Sequence, residues 1–223
     1  MAQASRRARP PLRGRFLTFE GIDGCGKTTQ ARLLAARLRD AGLPVLETRE
    51  PGGTEIGRQV RAVLLSADNA AIEPLTELLL FLADRVQHLR EVIRPALARG
   101  EVVLCDRFHD ATVAYQQHGR GLDLAPLEPF LRAEVLQPPP AATFWLDLPL
   151  ALAGERIAAR AQSLRGEGRI DAAAQEFHAR VREGYAAIAA AEPERVVRID
   201  AAGPPAAVAQ AIWQELTERF DVA

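Results

Sequence analysis

The sequence predicts an α/β fold in which a parallel β-sheet is covered by helices on both faces. The 223 residues alternate between short apolar runs and helical patterns along almost the whole chain, and this alternation is typical of β-α-β units with parallel strands. The strand-like runs are largely apolar, as expected of strands that are buried on both faces of a sheet. Because 48% of the residues are hydrophobic, the chain can bury one substantial core, and we expect a single domain.

The first three elements surround the most distinctive motif of the chain. Residues 16–20 form an apolar run that predicts a buried strand. Residues 27–41 predict a helix that ends at Gly42, because glycine is preferred just past a helix. Residues 44–48 predict the second strand.

A long amphipathic helix and a third strand come next. Residues 73–99 have apolar side chains at steps of three and four, which match the helical period. Pro95 is expected to kink the last turn, since proline cannot donate the helical hydrogen bond, and Gly100 ends the helix. Residues 101–105 predict a short buried strand. The apolar stripe consists of Leu75, Leu78, Leu79, Leu82, Val86, Leu89, Ile93 and Leu97.

The second half of the chain continues the alternation and contains one polar segment. That segment is rich in glycine and arginine, and we expect it to be a mobile lid over a site. The predicted elements are a strand at 141–148, a helix at 149–162, the lid at about 163–171, a helix at 171–191, a strand at 195–200 and a helix at 204–220.

Composition excludes several classes of protein. A net charge of -1 argues against bulk nucleic-acid binding, which needs a basic face, and no run approaches the roughly 20 apolar residues of a membrane span. Cys25 and Cys105 are the two cysteines, and with no secretory signal in view we expect a reducing compartment, the cytoplasm. Residues 1–14 are rich in arginine and are expected to be a flexible basic leader, followed by one domain at 15–223.

A glycine-rich loop between the first strand and the first helix predicts a phosphate-binding site. Residues 21–28 fit the P-loop pattern G-x-x-x-x-G-K-[ST], with the strand before it and the helix after it that the pattern requires. Its backbone N–H groups and the helix N-terminus would hold phosphate oxygens, Lys27 would bridge the β- and γ-phosphates, and Thr28 would ligate Mg²⁺. The predicted ATP-binding residues are Gly21, Ile22, Asp23, Gly24, Cys25, Gly26, Lys27, Thr28 and Thr29.

Charged side chains follow the second and third strands, where ligands of parallel sheets bind. Asp106 and Arg107 come directly after the apolar run 102–105. Asp106 is predicted to be the second Mg²⁺ partner and Arg107 to face an acceptor phosphate, the alternative being a surface ion pair. Arg49 follows the second strand, where its guanidinium fork suits a phosphate monoester; the alternative is an irregular turn shaped by Pro51 and the glycines after it.

Two further patterns place polar groups on helical faces. Phe81 and Arg85 are four residues apart on the long helix, so they can stack on a base and donate to its edge, unless Phe81 is core and Arg85 a solvated charge. Thr112, Tyr115 and Gln116 share one face if their segment is helical.

Taken together, these segments resemble the thymidylate kinase family. The order and spacing of the matching segments agree with the family from about residue 15 to residue 220. The Arg-Glu-Pro-Gly-Gly-Thr and Ala-Tyr-Gln sequences are specific to this family and discriminate far better than the glycine-rich loop. The matching segments are residues 19–29, 48–54, 81–87, 106–108, 114–116 and 119–121.

The resemblance implies an ATP:dTMP phosphotransferase that uses Mg²⁺, works as a homodimer and serves dTTP synthesis. It implies a three-layer P-loop NTPase-type sandwich whose sheet has five parallel strands in the order 2-3-1-4-5. In the base site, the resemblance implies that Phe81 stacks on thymine and Arg85 donates to a thymine carbonyl, with Thr112 and Gln116 beside the base edge.

The resemblance also implies roles around the sugar and the acceptor phosphate. Asp23 would accept from the deoxyribose 3′-hydroxyl, and Tyr115 would crowd the 2′ position and so disfavour ribonucleotides. Arg49 and Arg107 would hold the phosphate of dTMP.

Some members of the family carry a catalytic arginine inside the glycine-rich loop, but residues 22–25 contain none. We therefore expect Arg165 and Arg169 of the lid to act with Lys27 and Arg107 in catalysis; Arg160 is also available, and the alternative for each is a solvated loop charge. Ala111 departs from the hydroxyl residue that is frequent in the family. Cys25 is also unusual at its position in the glycine-rich loop. It is either a reactive thiol at a helix N-terminus or a small residue that the turn tolerates.

These residues predict in-line transfer of the γ-phosphoryl group to an oxygen of dTMP. Because the acceptor is already an anion, catalysis needs charge neutralisation and alignment rather than a strong base. The rival hypotheses are another nucleotide kinase, a GTPase-like switch and an inactive scaffold. The chain has no Asn-Lys-x-Asp segment of a switch, and its intact Lys27, Thr28, Asp106 and Arg107 argue against a scaffold.

Overall fold

A parallel sheet of five strands lies at the centre of the computed structural model, which describes residues 9–161 and 175–222. The strand order is β2-β3-β1-β4-β5, so the predicted parallel sheet and the order implied by the family are both confirmed. Each observed strand lies within one residue of its predicted bounds at either end. The strands are β1 (Phe16–Glu20), β2 (Val45–Arg49), β3 (Val102–Asp106), β4 (Ala142–Asp147) and β5 (Val196–Asp200).

Helices cover the sheet between the strands. The α-helical segments in the described ranges are α1 (Lys27–Asp40), α2 (Glu55–Leu65), α3 (Pro74–His88), α4 (Arg94–Ala98), α5 (His109–Thr112), α6 (Glu128–Phe130), α7 (Leu150–Ala161), α8 (Gln175–Ala191) and α9 (Pro205–Arg219). π-Helical turns continue three of them, at Leu89–Ile93, Val113–Gly119 and Leu131–Val135.

The long helix predicted at 73–99 is present but is not uniform. A π-helical turn at Leu89–Ile93 separates α3 from α4. Pro95 lies just after this turn, and a proline deprives the preceding turn of one backbone hydrogen bond. The irregularity therefore begins one turn earlier than the sequence indicated.

Helix α2 was not predicted from the sequence. Its N-terminus is capped by Thr54, whose hydroxyl accepts a hydrogen bond from the backbone N–H of Gly57 at 2.9 Å. The helix follows directly on the Arg-Glu-Pro-Gly-Gly-Thr segment and packs against α3. It therefore holds the far end of that segment in place.

The main core lies between the sheet and the helices α1, α8 and α9, with Phe19, Phe144 and Tyr185 among its largest buried side chains. A smaller cluster on the other face of the sheet contains Phe16 and Phe108, whose rings meet edge to face at 4.9 Å. These two layers fix the carboxyl ends of β1 and β3 relative to each other.

The segment before β1 contacts the other end of the chain. Pro11 forms a bridge with Asp221, and Leu12 is buried. The predicted lid at about 163–171, with Arg165 and Arg169, lies outside the described residues. No helix within 9–161 and 175–222 has the length and apolar content needed to cross a bilayer.

Candidate active site

The carboxyl ends of three neighbouring strands bring the predicted charged residues to one edge of the sheet. Arg49 pairs with Asp106 across β2 and β3, and Phe19 pairs with Asp106 across β1 and β3. Because parallel strands end at the same edge, the glycine-rich loop after β1 faces both residues. A cavity of about 440 Å³ opens there.

The glycine-rich loop folds around its own lysine. Lys27 is buried, and its Nζ donates to the carbonyl oxygens of Gly21 at 3.2 Å and Ile22 at 3.0 Å. Gly26, with a φ of 101°, immediately precedes α1, a conformation that favours glycine. The loop thus presents its N–H groups and the N-terminus of a 14-residue helix to the cavity.

Thr28 and Asp106, the two predicted metal ligands, are in direct contact. The Thr28 hydroxyl donates to Asp106 Oδ2 at 2.5 Å, and both residues line the cavity. No group of three or more His, Cys, Asp or Glu side chains that could hold a metal was found in the described ranges. A hydroxyl and one carboxylate suit Mg²⁺, which usually takes one or two protein ligands together with phosphate oxygens and water.

Arg107 lies beside the loop and joins two other predicted residues. Its Nη1 donates to Gly21 O at 3.1 Å, and its Nη2 donates to Asp23 and to the Tyr115 hydroxyl. Tyr115 in turn donates to Asp23 Oδ2 at 2.9 Å. Burial alone would raise the pKa of Asp23, but Arg107 and Lys27 outweigh it and hold that pKa below its usual value, so the group is a carboxylate at neutral pH.

Arg85 is buried and paired rather than solvated. Its Nε donates to Glu50 Oε2 at 2.6 Å, its Nη1 to Thr112 Oγ1 at 2.9 Å and its Nη2 to Phe108 O at 2.9 Å. The alternative of a solvated charge is therefore wrong. These bonds use three of the five guanidinium N–H groups.

Glu50 and His88 form the support of Arg85, and sequence reasoning assigned them no role. Glu50 Oε1 lies 2.9 Å from His88 Nδ1, and the other ring nitrogen of His88 lies 2.6 Å from the Thr48 hydroxyl. Burial would raise the pKa of Glu50, but Arg85 and His88 lower it overall. A Cβ on Gly53 would come within 2.4 Å of the His88 ring, so only glycine fits there. The sequence did indicate that the segment containing Glu50 is specific to one family, but it did not indicate that Glu50 pairs with Arg85 and His88.

Asp84 holds the same segment from the other side. Its Oδ1 accepts from the backbone N–H of Gly52 at 3.0 Å, and its Oδ2 is buried without a hydrogen-bond partner in the described structure. Burial and the nearby Glu50 charge raise the pKa of Asp84 to about 6. The segment that starts at Arg49 is therefore fixed by three residues of α3, namely Asp84, Arg85 and His88.

Phe81 lies on α3 between two polar levels. One turn before it, Glu77 accepts from Gln116 Nε2 at 3.0 Å and from Arg120; one turn after it is Arg85 with Thr112. Phe81 is half-buried and the Gln116 side chain is buried. The structure thus brings Phe81, Arg85, Thr112 and Gln116 to facing sides of α3 and the segment that begins with α5.

Arg49, which the sequence predicted at this site, is exposed at the mouth of the cavity. The remaining wall of the cavity was not predicted. Arg156 of α7 also lines it and donates to Ala201 O at 3.1 Å, next to Gly203 and Pro205. The rule that predicted Asp106, a polar loop after an apolar strand, applies equally to the loop after β5.

The two departures from the family pattern have plain structural roles. Cys25 is buried, with its Sγ 3.6 Å from Lys27 Nζ, and burial raises the pKa of its thiol above the usual value. Burial and the raised pKa favour the interpretation of Cys25 as a tolerated small residue over that of a reactive thiol. Ala111 is half-buried against the main core.

The cavity therefore combines a phosphate cradle, a hydroxyl–carboxylate pair suited to Mg²⁺ and a cluster of arginines. Lys27 and Arg107 both donate to the Gly21 carbonyl, so two cationic side chains meet at one point beside the cavity. The arrangement is suited to moving a phosphoryl group from one phosphate-bearing ligand to another.

Comparison with known proteins gives a consistent result. A family model described as Thymidylate kinase matches residues 19–212. The chain is 50% identical over 209 residues to a thymidylate kinase of Citrifermentans bemidjiense, covering 93% of each protein. It is 54% identical over 192 residues to one of Geobacter sp. strain M21, covering 85% of each. The crystal structure of thymidylate kinase from Ehrlichia chaffeensis superposes with a TM-score of 0.73 at 35% identity, over 92% of this chain and 98% of that one.

Proposed function

The chain belongs to the thymidylate kinase family, and on that premise we propose how its residues transfer the γ-phosphoryl group of ATP to dTMP. The enzyme is a dTMP kinase that forms dTDP and ADP, in the synthesis of dTTP for DNA replication. The observation that supports the proposed roles is the shared Gly21 carbonyl, which accepts from Lys27 Nζ at 3.2 Å and from Arg107 Nη1 at 3.1 Å and so brings the two cations to one point beside the cavity.

The donor is proposed to bind along the glycine-rich loop. The N–H groups of residues 21–29 and the N-terminus of α1 take the phosphates of ATP, and Lys27 exchanges its carbonyl partners for the β- and γ-phosphates. The base end of ATP lies toward Arg156 and the loop after β5, which complete the same cavity.

Mg²⁺ is proposed to be held by Thr28 and Asp106, whose oxygens fit it as described above. When bound, the ion neutralises charge on the β- and γ-phosphates. Strand pairing fixes the backbone of Asp106 at the end of β3, and the contact with the Thr28 hydroxyl already brings the two proposed ligands together.

The acceptor is proposed to bind between α3 and the segment that starts at α5. Phe81 stacks on thymine, and Arg85, fixed by Glu50, donates its two remaining N–H groups to the base edge beside Thr112 and Gln116. On the other side, Asp23 and Tyr115 face the sugar, and Arg49 and Arg107 hold the phosphate. Since that phosphate is already anionic, these arginines align it in line with the donor and no residue needs to act as a strong base. Arg165 and Arg169 are proposed to complete the neutralisation from the lid.

A homodimer is proposed to form through α2 and α3. These two helices pack together and expose four large apolar side chains, with Ile56 and Val63 on α2 and Leu75 and Leu79 on α3. Spacings of seven and four residues place each pair on one helical face. Exposed apolar side chains grouped in this way mark an interaction surface.

Two coarser proposals concern the setting of the enzyme. The cytoplasm suits a chain whose two cysteines, Cys25 and Cys105, are both free and buried. The division into a leader at 1–14 and one domain at 15–223 also stays a proposal, in which the last residues of the leader pack against the domain through Pro11 and Leu12.

The substrate assignment is tested by measuring ADP formation with dTMP, dUMP, dCMP, GMP and thymidine as acceptors. We expect dTMP to give the highest kcat/KM, and Lys27→Met to abolish ADP formation with every acceptor. A higher kcat/KM for any other acceptor refutes the assignment, and equal ADP formation without an acceptor indicates an ATPase.

A further inference from the structure

Arg107 has an unusual backbone conformation for the residue that is proposed to align the acceptor. Its φ is 70°, and it is the one non-glycine residue with a positive φ in the described ranges. Left-handed backbone is unfavourable for a residue with a side chain, and such strain persists only where the surroundings enforce it. The contacts of the peptide groups around Arg107 are therefore informative.

Four hydrogen bonds hold those peptide groups. The Arg107 N–H donates to Phe19 O at 2.9 Å, the Glu50 N–H donates to Asp106 O at 2.9 Å, and the Cys105 thiol donates to Arg107 O at 3.0 Å. The fourth bond is the shortest, from the Phe108 N–H to Glu20 Oε1 at 2.6 Å. It fixes the peptide that follows Arg107, and it is the one among the four that a carboxylate accepts.

Glu20 is placed to connect the two halves of the site. It is the last residue of β1 and is fully buried, with its other carboxylate oxygen accepting from the Tyr185 hydroxyl at 2.8 Å. The next residue, Gly21, begins the glycine-rich loop and accepts from both Lys27 and Arg107. Burying an ionisable group is costly, and an apolar residue would fill this core position without that cost.

We propose that Glu20 is a positioning residue for the transfer, because its carboxylate holds the Phe108 N–H and so keeps Arg107 in the left-handed conformation that points its guanidinium at the reacting phosphates. The proposal rests on the proposed role of Arg107 at the acceptor phosphate. Without the acceptor atom of Glu20, the Phe108 N–H is buried and unpaired, and the Arg107 backbone relaxes toward an ordinary conformation. Arg107 then moves and loses its contacts with the loop, while the loop keeps the two bonds that Lys27 donates to its carbonyl oxygens.

Three substitutions of Glu20 separate the effect of its side-chain length from the effect of its charge. Glu20→Gln keeps a carbonyl oxygen at the same distance but removes the charge, whereas Glu20→Asp keeps the charge but shortens the side chain by one methylene. Glu20→Met removes the acceptor at similar length. We expect Glu20→Gln to stay within about threefold of the natural protein in kcat, and Glu20→Asp and Glu20→Met to lose about 10- to 100-fold in kcat/KM for dTMP, since a displacement of about 1 Å can cost about 100-fold.

Binding measurements exclude a merely structural effect. The dissociation constant of a non-hydrolysable ATP analogue, measured by calorimetry, is expected to stay within about twofold in all three variants, because the loop keeps its own hydrogen bonds. Tyr185→Phe is the matched control: it removes the other bond to Glu20 and leaves the Phe108 contact, so its thermal stability falls while its kcat and dTMP KM stay near those of the natural protein.

Several outcomes overturn the proposal. Wild-type kinetics in Glu20→Asp or in Glu20→Met show that the contact does not position Arg107. Loss in Glu20→Gln with activity in Glu20→Asp shows that charge rather than reach matters. If Glu20→Met does not fold, Glu20→Asp and Glu20→Gln alone decide. A failure of the proposed function would be recognised separately, because the natural protein itself would then not transfer a phosphoryl group to dTMP.

Discussion

Replacing Glu50 by Gln removes the charge that compensates a buried arginine. Glu50 is 4% exposed and Arg85 is 2% exposed, and their ion pair of 2.6 Å is accompanied by the His88 contact of 2.9 Å on the other carboxylate oxygen. Breaking a buried pair by neutralising one partner costs about 3–5 kcal/mol, because the remaining charge stays buried. We therefore expect the free energy of unfolding to fall by about 3 kcal/mol or more, a large fraction of the about 5–15 kcal/mol of a typical domain.

A surface pair of the same length provides the control. Arg90 and Glu134 also form an ion pair of 2.6 Å, but their side chains are 60% and 40% exposed. Solvent screens such a pair, so Glu134→Gln is expected to cost at most about 1 kcal/mol. Urea unfolding followed by circular dichroism measures both variants at equal ionic strength and pH 7. A Glu50→Gln loss no larger than that of Glu134→Gln refutes the view that Glu50 compensates Arg85.

Three further predictions concern the base site, the pH dependence of stability and the assembly. Arg85→Ala is expected to weaken dTMP binding by about 10- to 100-fold in calorimetry, which corresponds to the loss of one charged hydrogen bond. ATP binding is expected to stay unchanged. If the dTMP affinity is also unchanged, Arg85 is not part of the base site. The pKa of Asp84 is raised from 3.8 to about 6 by burial and the Glu50 charge. Protonated Asp84 therefore stabilises the fold below about pH 4, and up to about 3 kcal/mol of this stabilisation is lost as the pH rises through 6. A stability difference between the natural protein and Asp84→Asn that does not change with pH contradicts this. Leu79→Glu is expected to give monomers in sedimentation velocity, whereas a monomeric natural protein, or a variant that stays dimeric, rejects the α2–α3 interface.

The strands and the glycine-rich loop were predictable because their signals are local. An apolar run of five residues and a G-x-x-x-x-G-K-[ST] pattern each depend on neighbours in sequence, and β1, β3 and the loop before α1 lie where the sequence places them. Asp106 could likewise be placed from the end of its strand. Helix α2 escaped prediction because Gly57 stands three residues after its cap, where a glutamate or glutamine would complete the usual signature.

The support of the site was not predictable, since it consists of contacts between distant residues. Arg85 reaches partners 35, 27 and 23 residues away in sequence, and helical spacing alone left it equally compatible with a solvated charge. Glu20 similarly reads as the last residue of an apolar strand, and only the fold brings the Phe108 N–H to it. The family resemblance identified these segments but not the hydrogen bonds that connect them.

The burial of Cys25 gives the phosphate loop an internal reporter. Since the thiol is shielded and its pKa is raised, a disulfide reagent such as Ellman's can label it only in molecules whose loop has opened. Cys105, inside β3 and fully shielded, becomes accessible only when the sheet itself comes apart. Two labelling rates in one chain therefore distinguish loop fluctuation from global unfolding, and saturation with nucleotide would slow both, because binding stabilises the closed loop and the folded chain.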